Sequence, residues 1–292
     1  MDDFWAATEA GRAVVEQTAA ALVRRYRLDE EAAHKAVAEA LGADADLTRT
    51  AAQLGEPARI LRLARFRRLE SDLRRRVYYD LRRYRADPTS MSALAEQLAA
   101  ARDDDRPRIV QQLLECHAST RERRGDLPAL RSFLGRVTAD ARTMLDVGCG
   151  VFPLAFPFAE RERPLESYRA LDRDEESLAA VRAFARGTGL ECLATHAWRV
   201  VDGWGLLGGA EFDVALLLKV VPVVARQERE HLAELAAVPA RRLVVSGSRL
   251  GLAKRRDIER RERGTIQRFL GQRGARVVEE FVTADEFFVV AE

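Results

Sequence analysis

Lysine is almost missing from this 292-residue chain, where Lys35, Lys219 and Lys254 are the only three, so arginine carries nearly all the positive charge. The planar arginine fork suits bidentate contacts to phosphate and stacks on bases. Cysteine is as scarce. Cys116, Cys149 and Cys192 are scattered without a C-x-x-C pair, which excludes a disulfide framework and offers no zinc pattern, so no metal is expected. No apolar run approaches the roughly 20 residues that span a bilayer, so no membrane partner is expected either. The start, Met1-Asp-Asp-Phe-Trp5, lacks the basic stretch of a secretory signal, and a cytoplasmic protein is the expectation. The formal net charge is only +2, which argues against a uniformly basic coat but leaves local patches open.

Those patches exist. From Phe4 to about Ala101 the chain is rich in Ala, Leu, Arg and Glu with helical periodicity. The spacing predicts helices near 4–26, 29–41, 56–84 and 90–101, with Asp29 and Ser90 as N-caps. Between Arg59 and Arg85, eleven arginines meet only Glu70, Asp72 and Asp80, and Phe66, Tyr78, Tyr79 and Tyr84 are interleaved among them. Solvated helical faces usually carry both signs, so one-signed density of this kind favours a polyanion over mere solubility. Arg74, Arg75 and Arg76 are candidate contacts to such a polyanion. A second basic patch, Arg255, Arg256, Arg260 and Arg261, follows the fifth strand described next.

Asp103-Asp-Asp-Arg-Pro107 breaks the helical pattern and reads as a linker, which divides the chain into a helical, arginine-rich domain at 1–105 and a second domain at 106–292. Helices are expected near 108–116 and 126–137. Short apolar runs at 143–147, 168–172, 192–197, 213–218 and 241–246 then alternate with helical segments, and two more runs close the chain at 276–282 and 286–291. Alternation of this type implies a mostly parallel sheet with helices on its faces. The short Thr283-Ala-Asp285 link forces the last two strands antiparallel. The expected fold is therefore α/β, a class I, Rossmann-like methyltransferase core behind an all-helical N-terminal domain.

Within that frame, Leu145-Asp-Val-Gly-Cys-Gly150 is a strand that ends in a glycine loop. Gly148 and Gly150 allow the close backbone approach that a Cβ prevents, at a strand's carboxyl end where open α/β sheets bind cofactors. Tyr168-Arg-Ala-Leu-Asp172 is a second apolar run ending in a carboxylate, placed where the ribose hydroxyls of a nucleoside need acceptors. Together they point to an S-adenosylmethionine loop. Asp202, in Val200-Val-Asp-Gly203, follows the third strand and is a candidate acceptor for an adenine amino group. Lys219 closes the fourth strand at its carboxyl edge. A lysine there is unfavourable to bury unless paired, so it is either a transfer-site residue and the candidate catalytic group, or a side chain that reaches solvent.

The fourth-strand sequence also excludes chemistry. Methylases of exocyclic base amines place Asp or Asn with Pro-Pro and an aromatic there, whereas this chain has Lys219-Val-Val-Pro222. Methylation of a pyrimidine carbon needs a cysteine nucleophile, yet Cys149 lies in the glycine loop and Cys192 at a strand start. A ring nitrogen such as guanine N7 fits, because its lone pair is free at neutral pH and alignment with exclusion of water suffices. Upstream, Cys116-His-Ala-Ser-Thr-Arg-Glu-Arg123 reads on its own as a short helix capped by Ser119 or Thr120, with His117 open to a structural or a functional role.

Taken together, His117-Ala-Ser-Thr-Arg-Glu-Arg123, the glycine loop with Pro153-Leu154, and Leu216-Leu-Leu-Lys-Val-Val-Pro222 resemble the signatures of the aminoglycoside-resistance 16S rRNA guanine-N7 methyltransferases. The resemblance covers about 110–245 in motif detail. It implies that His117, Ala118, Ser119 and Arg123 help hold S-adenosylmethionine, with Arg123 near its carboxylate and Gly148 lining the methionine end. It further implies Asp172 on the ribose, Asp202 and Gly203 around the adenine, Leu218 and Gln227 completing the pocket, and Lys219 beside methyl transfer. The implied partner is 16S rRNA in the 30S subunit, methylated at the decoding site. The chain departs from the family at Ser246-Gly-Ser-Arg-Leu-Gly-Leu-Ala-Lys-Arg-Arg256, where a Phe-Pro and a later aromatic are usual. That departure keeps two alternatives open, another rRNA or tRNA site and an inactive cofactor-binding RNA-binding protein.

Overall fold

The structure, a computed structural model, describes residues 4–26, 30–81, 91–250 and 257–292. It divides into two compact units, Met1–Ala86 and Asp87–Glu292. The first unit is helical, with α1 (Phe4–Ala7), α2 (Glu9–Tyr26), α3 (Glu30–Gly42), α4 (Ala45–Leu54), α5 (Pro57–Ile60) and α6 (Ala64–Leu81). Trp5, Val14, Leu22, Leu41, Leu47, Ile60, Phe66 and Leu73 form its core.

Local capping explains where the sequence expectation differs. The helix expected over 4–26 is split at Thr8, whose hydroxyl donates to the Phe4 carbonyl and accepts from the Gly11 amide at 2.9 Å each. The helix α4 was not expected, and short-range caps define it. Asp44 accepts from the Leu47 amide at one end, and Gly55 takes the left-handed conformation at the other, a position that favours glycine. The expected 56–84 helix is two, α5 and α6. The expected caps Asp29 and Ser90 lie outside the described residues.

In the second unit, α7 (Met91–Ala100), α8 (Arg106–Cys116), α9 (Ala118–Glu122) and α10 (Leu127–Val137) precede seven strands. The strands are β1 (Thr143–Val147), β2 (Ser167–Asp172), β3 (Leu193–Ala197), β4 (Phe212–Leu218), β5 (Ala240–Ser248), β6 (Val277–Val282) and β7 (Glu286–Ala291). Between them lie α11 (Glu175–Thr188), α12 (Val220–Gln227), α13 (Leu232–Ala236) and α14 (Glu259–Arg273). The unit boundary falls ahead of α7 rather than at the Asp103–Pro107 linker. Met91, Ala95 and Leu98 of α7 are buried in the core under the sheet, and Ser177 of α11 donates to the Met91 sulfur at 3.6 Å.

The sheet runs β3-β2-β1-β4-β5-β7-β6. The first five strands are parallel, and β7 pairs antiparallel with both β5 and β6. Met144 and Leu216 face one core while Leu145 and Leu217 face the other, which is why these strands read as unbroken apolar runs. Strand order reverses at β1, so a crevice opens between the carboxyl ends of β1 and β4. Because β7 runs the opposite way, its first residue, Glu286, pairs with Ser248 and arrives at that same carboxyl edge. Among the described residues no helix is long and apolar enough to cross a membrane, and no cluster of three or more His, Cys, Asp and Glu side chains could hold a metal.

The final hairpin is held by Phe288, which is 1% exposed and packs against Phe133 and Phe281. Phe288→Ala is expected to destabilise the second unit by about 3–5 kcal/mol, measured by urea unfolding. A loss below about 1 kcal/mol would mean the hairpin is not part of that core.

Candidate functional site

The glycine loop is fixed by one carboxylate. Asp172, the last residue of β2, accepts the Gly150 amide at 2.7 Å on Oδ2 and the Asp174 amide at 2.9 Å on Oδ1. The Cys149 amide donates to the Leu171 carbonyl at 3.0 Å, so the loop is tied to β2 at two successive residues. Gly148 and Gly150 both have positive φ, 62° and 51°, a conformation disfavoured for side-chain-bearing residues. Sterics add to this. A Cβ on Gly148 would lie 2.8 Å from Val220 Cγ2, and one on Gly150 would lie 2.7 Å from His117 Nε2. Gly148 remains exposed at the crest of the loop.

His117 is therefore packed directly on the loop. It is extended between α8 and α9, with Nδ1 2.9 Å from Ser119 Oγ. Burial drives its pKa down to about 4, against the pull of Asp174, so the ring is neutral at physiological pH. Thr120, not Ser119, makes the local backbone bonds, donating to the His117 carbonyl at 3.0 Å and to that of Leu114. Ala118 and Ser119 are half-buried at the start of α9.

Arg123 ends α9 inside the protein. Its Nε and Nη2 each donate to Glu286 at 2.8 Å, and its guanidinium lies 5.3 Å from the ring centre of Phe152, in the turn after the glycine loop. Glu286 also accepts from Ser246 of β5, and Lys219 Nζ stands 3.6 Å from Oε2. Burial pushes the Glu286 carboxyl up, but Arg123, Lys219 and the bonds from Arg123 and Ser246 outweigh it and hold the group at about 2.

Lys219 itself does not escape to solvent. Its ammonium is 2.7 Å from Glu122, and its amide donates to Ser246 Oγ at 2.9 Å. Its φ of 64° makes it the single non-glycine residue in the left-handed region among those described, a conformation that costs roughly 1–3 kcal/mol and clusters at functional sites. Leu218, buried just before it, pairs with Ser246. On the far side of the crevice Asp146 is buried and accepts the Tyr168 hydroxyl at 2.7 Å. Burial raises its pKa to about 7, opposed by that hydrogen bond and by Arg123. Burial also raises Asp172, countered by the amides it holds, and pushes the Cys149 thiol well up, which removes it as a nucleophile.

Two further candidates have different surroundings. Gln227 ends α12 with its Nε2 buried and without a partner among the described residues. Its neighbour Glu228 approaches Arg173, just beyond Asp172, at 3.8 Å. Asp202 is exposed and closes its own turn, accepting the Arg199 amide at 2.9 Å and the Arg199 guanidinium at 3.2 Å, which hold its pKa down. The Gly203 carbonyl accepts from Trp198 Nε1 at 2.7 Å, and Trp198 stacks on Trp204 with centroids 4.7 Å apart. So His117, Arg123, Gly148, Gly150, Asp172, Leu218 and Lys219 gather around the crevice, whereas Asp202 is turned to solvent.

Glu286, Ser246, Glu122, Asp146 and Tyr168 were missed by sequence reasoning. A signal existed for Glu286. It opens an otherwise apolar strand, Glu286-Phe-Phe-Val-Val-Ala291, and the argument applied to Lys219 applies equally to a buried glutamate. Of the arginine candidates, Arg74 is committed to Glu70 at 2.7 Å. Arg260 and Arg261 are exposed on α14, Arg261 3.7 Å from Glu262. The side chains of Arg75 and Arg76 and the whole of Arg255 and Arg256 lie outside what the structure describes.

The family model described as ribosomal RNA methyltransferase (FmrO) matches residues 70–286. No curated protein matches in sequence. Among solved structures, the 16S rRNA methyltransferase RmtF in complex with S-adenosyl-L-homocysteine is 24% identical, covers 98% of both chains and has a TM-score of 0.62. The 16S rRNA methylase RmtB is 20% identical over 95% of this chain and 98% of its own, with a TM-score of 0.57. An rRNA methylase from Escherichia coli is also 20% identical, over 95% and 99%, with a TM-score of 0.57. At these identities the structures establish the shared fold, the class I methyltransferase fold.

Asp146 sets a pH dependence. Its carboxyl titrates near 7 when folded, against an ordinary 3.8, so the folded state holds the proton across that window and stability falls as pH rises through it. Asp146→Asn keeps an acceptor for Tyr168 and removes the titration. The variant is expected to match the parent near pH 4 and to exceed it at pH 8 by up to about 4 kcal/mol. Thermal melts at both pH values check this, and a gap that does not widen with pH would refute it.

Proposed function

The chain belongs to the FmrO family of ribosomal RNA methyltransferases, and from that premise we propose that it transfers methyl from S-adenosylmethionine to N7 of a guanine. The proposed target lies in the decoding site of 16S rRNA within the 30S subunit, in the cytoplasm, and its methylation confers aminoglycoside resistance. The observation that carries this reading is the glycine loop at the switch point, bound by Asp172 and covered by His117.

The residues present fit the cofactor. Gly148 offers exposed backbone at the crest of the loop, and Gln227 keeps a buried amide nitrogen without a partner among the described residues, which costs free energy until an acceptor arrives. When bound, S-adenosylmethionine supplies an electrophilic methyl on a sulfonium. In the proposed arrangement Gly148 and Gly150 flank the methionine end, and Arg123 meets its carboxylate. Asp172 turns a remaining lone pair to the ribose, and His117, Ala118 and Ser119 wall the loop. Leu218 and Gln227 close the pocket, and Asp202 and Gly203 lie toward the adenine. Lys219, strained and paired at the transfer edge, orients the base. No proton need be removed from N7, which agrees with a site whose histidine is neutral and buried.

Substrate docking falls to arginine. Arg62, Arg67 and Arg68 are exposed and have no carboxylate partner among the described residues, whereas Arg74 is spent on Glu70. Arg75, Arg76, Arg255, Arg256, Arg260 and Arg261 extend the proposed contact to phosphate. The groove that holds N7 in A-form RNA is deep and narrow, so the target base must be presented outside a regular helix. The departure at 246–256 favours a second reading, in which the same chemistry acts on another rRNA or tRNA nucleotide.

Mass spectrometry of rRNA from 30S subunits incubated with the protein and cofactor tests these readings. The expected product is 7-methylguanosine at the decoding site. Methylation elsewhere supports the second reading, and none at all would leave a cofactor-binding RNA-binding protein. Lys219→Ala is expected to slow single-turnover transfer by roughly tenfold or more while cofactor affinity changes little, and an unchanged rate would remove Lys219 from the transfer site.

Reversing the charge of Arg67 and Arg68 should weaken 30S binding and flatten its salt dependence by about two units of slope. Binding titrations at several salt concentrations measure this, with cofactor affinity expected to be unaffected. An unchanged slope would exclude this face from docking.

A further inference from the structure

Glu286 sits at the centre of the crevice without an assigned role. Its side chain is 2% exposed, and a buried carboxylate is tolerated only with full compensation. That compensation comes from the two cations of the site. Arg123 gives it one edge of the guanidinium, Nε and Nη2, and Lys219 stands at 3.6 Å. Ser246, which donates to it, also receives the Lys219 amide, so Glu286 reaches both the side chain and, through one hydroxyl, the backbone of Lys219. A guanidinium has five N–H groups. With one edge fixed on Glu286, the Nη1 end of Arg123 is left to meet a second planar anion, next to the Phe152 turn of the glycine loop.

We propose that Glu286 is the positioning residue of this site, fixing the Arg123 guanidinium so that its other edge receives the carboxylate of the amino-acid-bearing nucleoside and holding Lys219 beside it. This rests on the cofactor assignment above and adds to it a residue from β7, the antiparallel strand. Two carboxylates then share one guanidinium, the protein's from one side and the ligand's from the other. A side chain free to rotate would have to be ordered on binding, whereas this one is set in advance.

The test uses two nucleosides and needs no RNA. S-adenosylhomocysteine carries the carboxylate, and 5′-methylthioadenosine has the same adenosine and thioether but lacks the amino-acid end. Isothermal titration of the full chain and of Glu286→Gln with both ligands reads the selectivity directly. The variant is expected to lose roughly 10- to 100-fold in affinity for S-adenosylhomocysteine and to keep its affinity for methylthioadenosine within about twofold. A role confined to stability would change both alike, so equal losses, or no loss for either, overturn the proposal. Glu286→Asp keeps the buried charge compensated but withdraws the carboxylate by one methylene, and it serves if the glutamine variant does not fold. The same selective loss is expected there, and an equal change in affinity for both ligands again overturns the proposal. If the parent protein binds neither nucleoside, the cofactor assignment itself falls and this proposal with it. A parent that binds both, alongside a variant with unaltered selectivity, overturns only the role of Glu286.

Discussion

A carboxylate buried away from solvent must be surrounded by donors, and Glu286 imposes that requirement on three other pieces of chain. The end of α9 supplies Arg123, the β4–α12 junction supplies Lys219, β5 supplies Ser246, and β7 supplies the carboxylate. Removing one partner from such a pair typically costs about 3–5 kcal/mol because the remaining charge is left uncompensated. The pair therefore couples the shape of the crevice to the closure of the sheet. It accounts for the depth of Arg123, which could not sit at 4% exposure without an anion beside it.

Three buried or half-buried carboxylates line the same crevice and are driven apart by their surroundings. Glu286 faces two cations and is held at about 2. Asp146 faces a phenol and an apolar core and rises to about 7. Asp172 is raised by burial but is held by backbone amides of the loop. The three environments suit different roles, since Glu286 anchors cations, Asp146 holds the Tyr168 hydroxyl, and Asp172 sets the loop's backbone. Such divergence marks sites where chemistry or binding is concentrated.

The scarcity of lysine gives the surface a particular character. Most arginines of the second unit are used in pairs, as with Arg242 between Asp140 and Glu292 or Arg263 between Glu259 and Glu280. Arg62, Arg67 and Arg68 of the first unit are exposed without such partners among the described residues. The difference lies in the local supply of carboxylates, which is low between Arg59 and Arg85. Exposed and unpaired arginines suit phosphate, whose contacts position a partner without reading its sequence.

Much of this was legible from the chain alone. Each of the seven strands lies where an apolar run was read, most plainly β1, β4, β5 and β7, which are largely buried on both faces and so write near-continuous apolar segments, and the antiparallel hairpin followed from a link too short for a crossover. The glycine loop and Asp172 were readable because positive φ and a strand-terminal acid leave local marks. Pairings between residues distant in sequence left none. Arg123 and Glu286 are separated by 163 positions, and nothing in either neighbourhood announces the other. The split at Thr8, the helix α4 and the placement of α7 in the second unit were likewise settled by capping and packing that periodicity does not record. Short-range stereochemistry and burial pattern are written residue by residue, so sequence alone determined the strands and the loop. Which charges meet in the crevice depended on the antiparallel turn of β7, and only the assembled sheet could decide it.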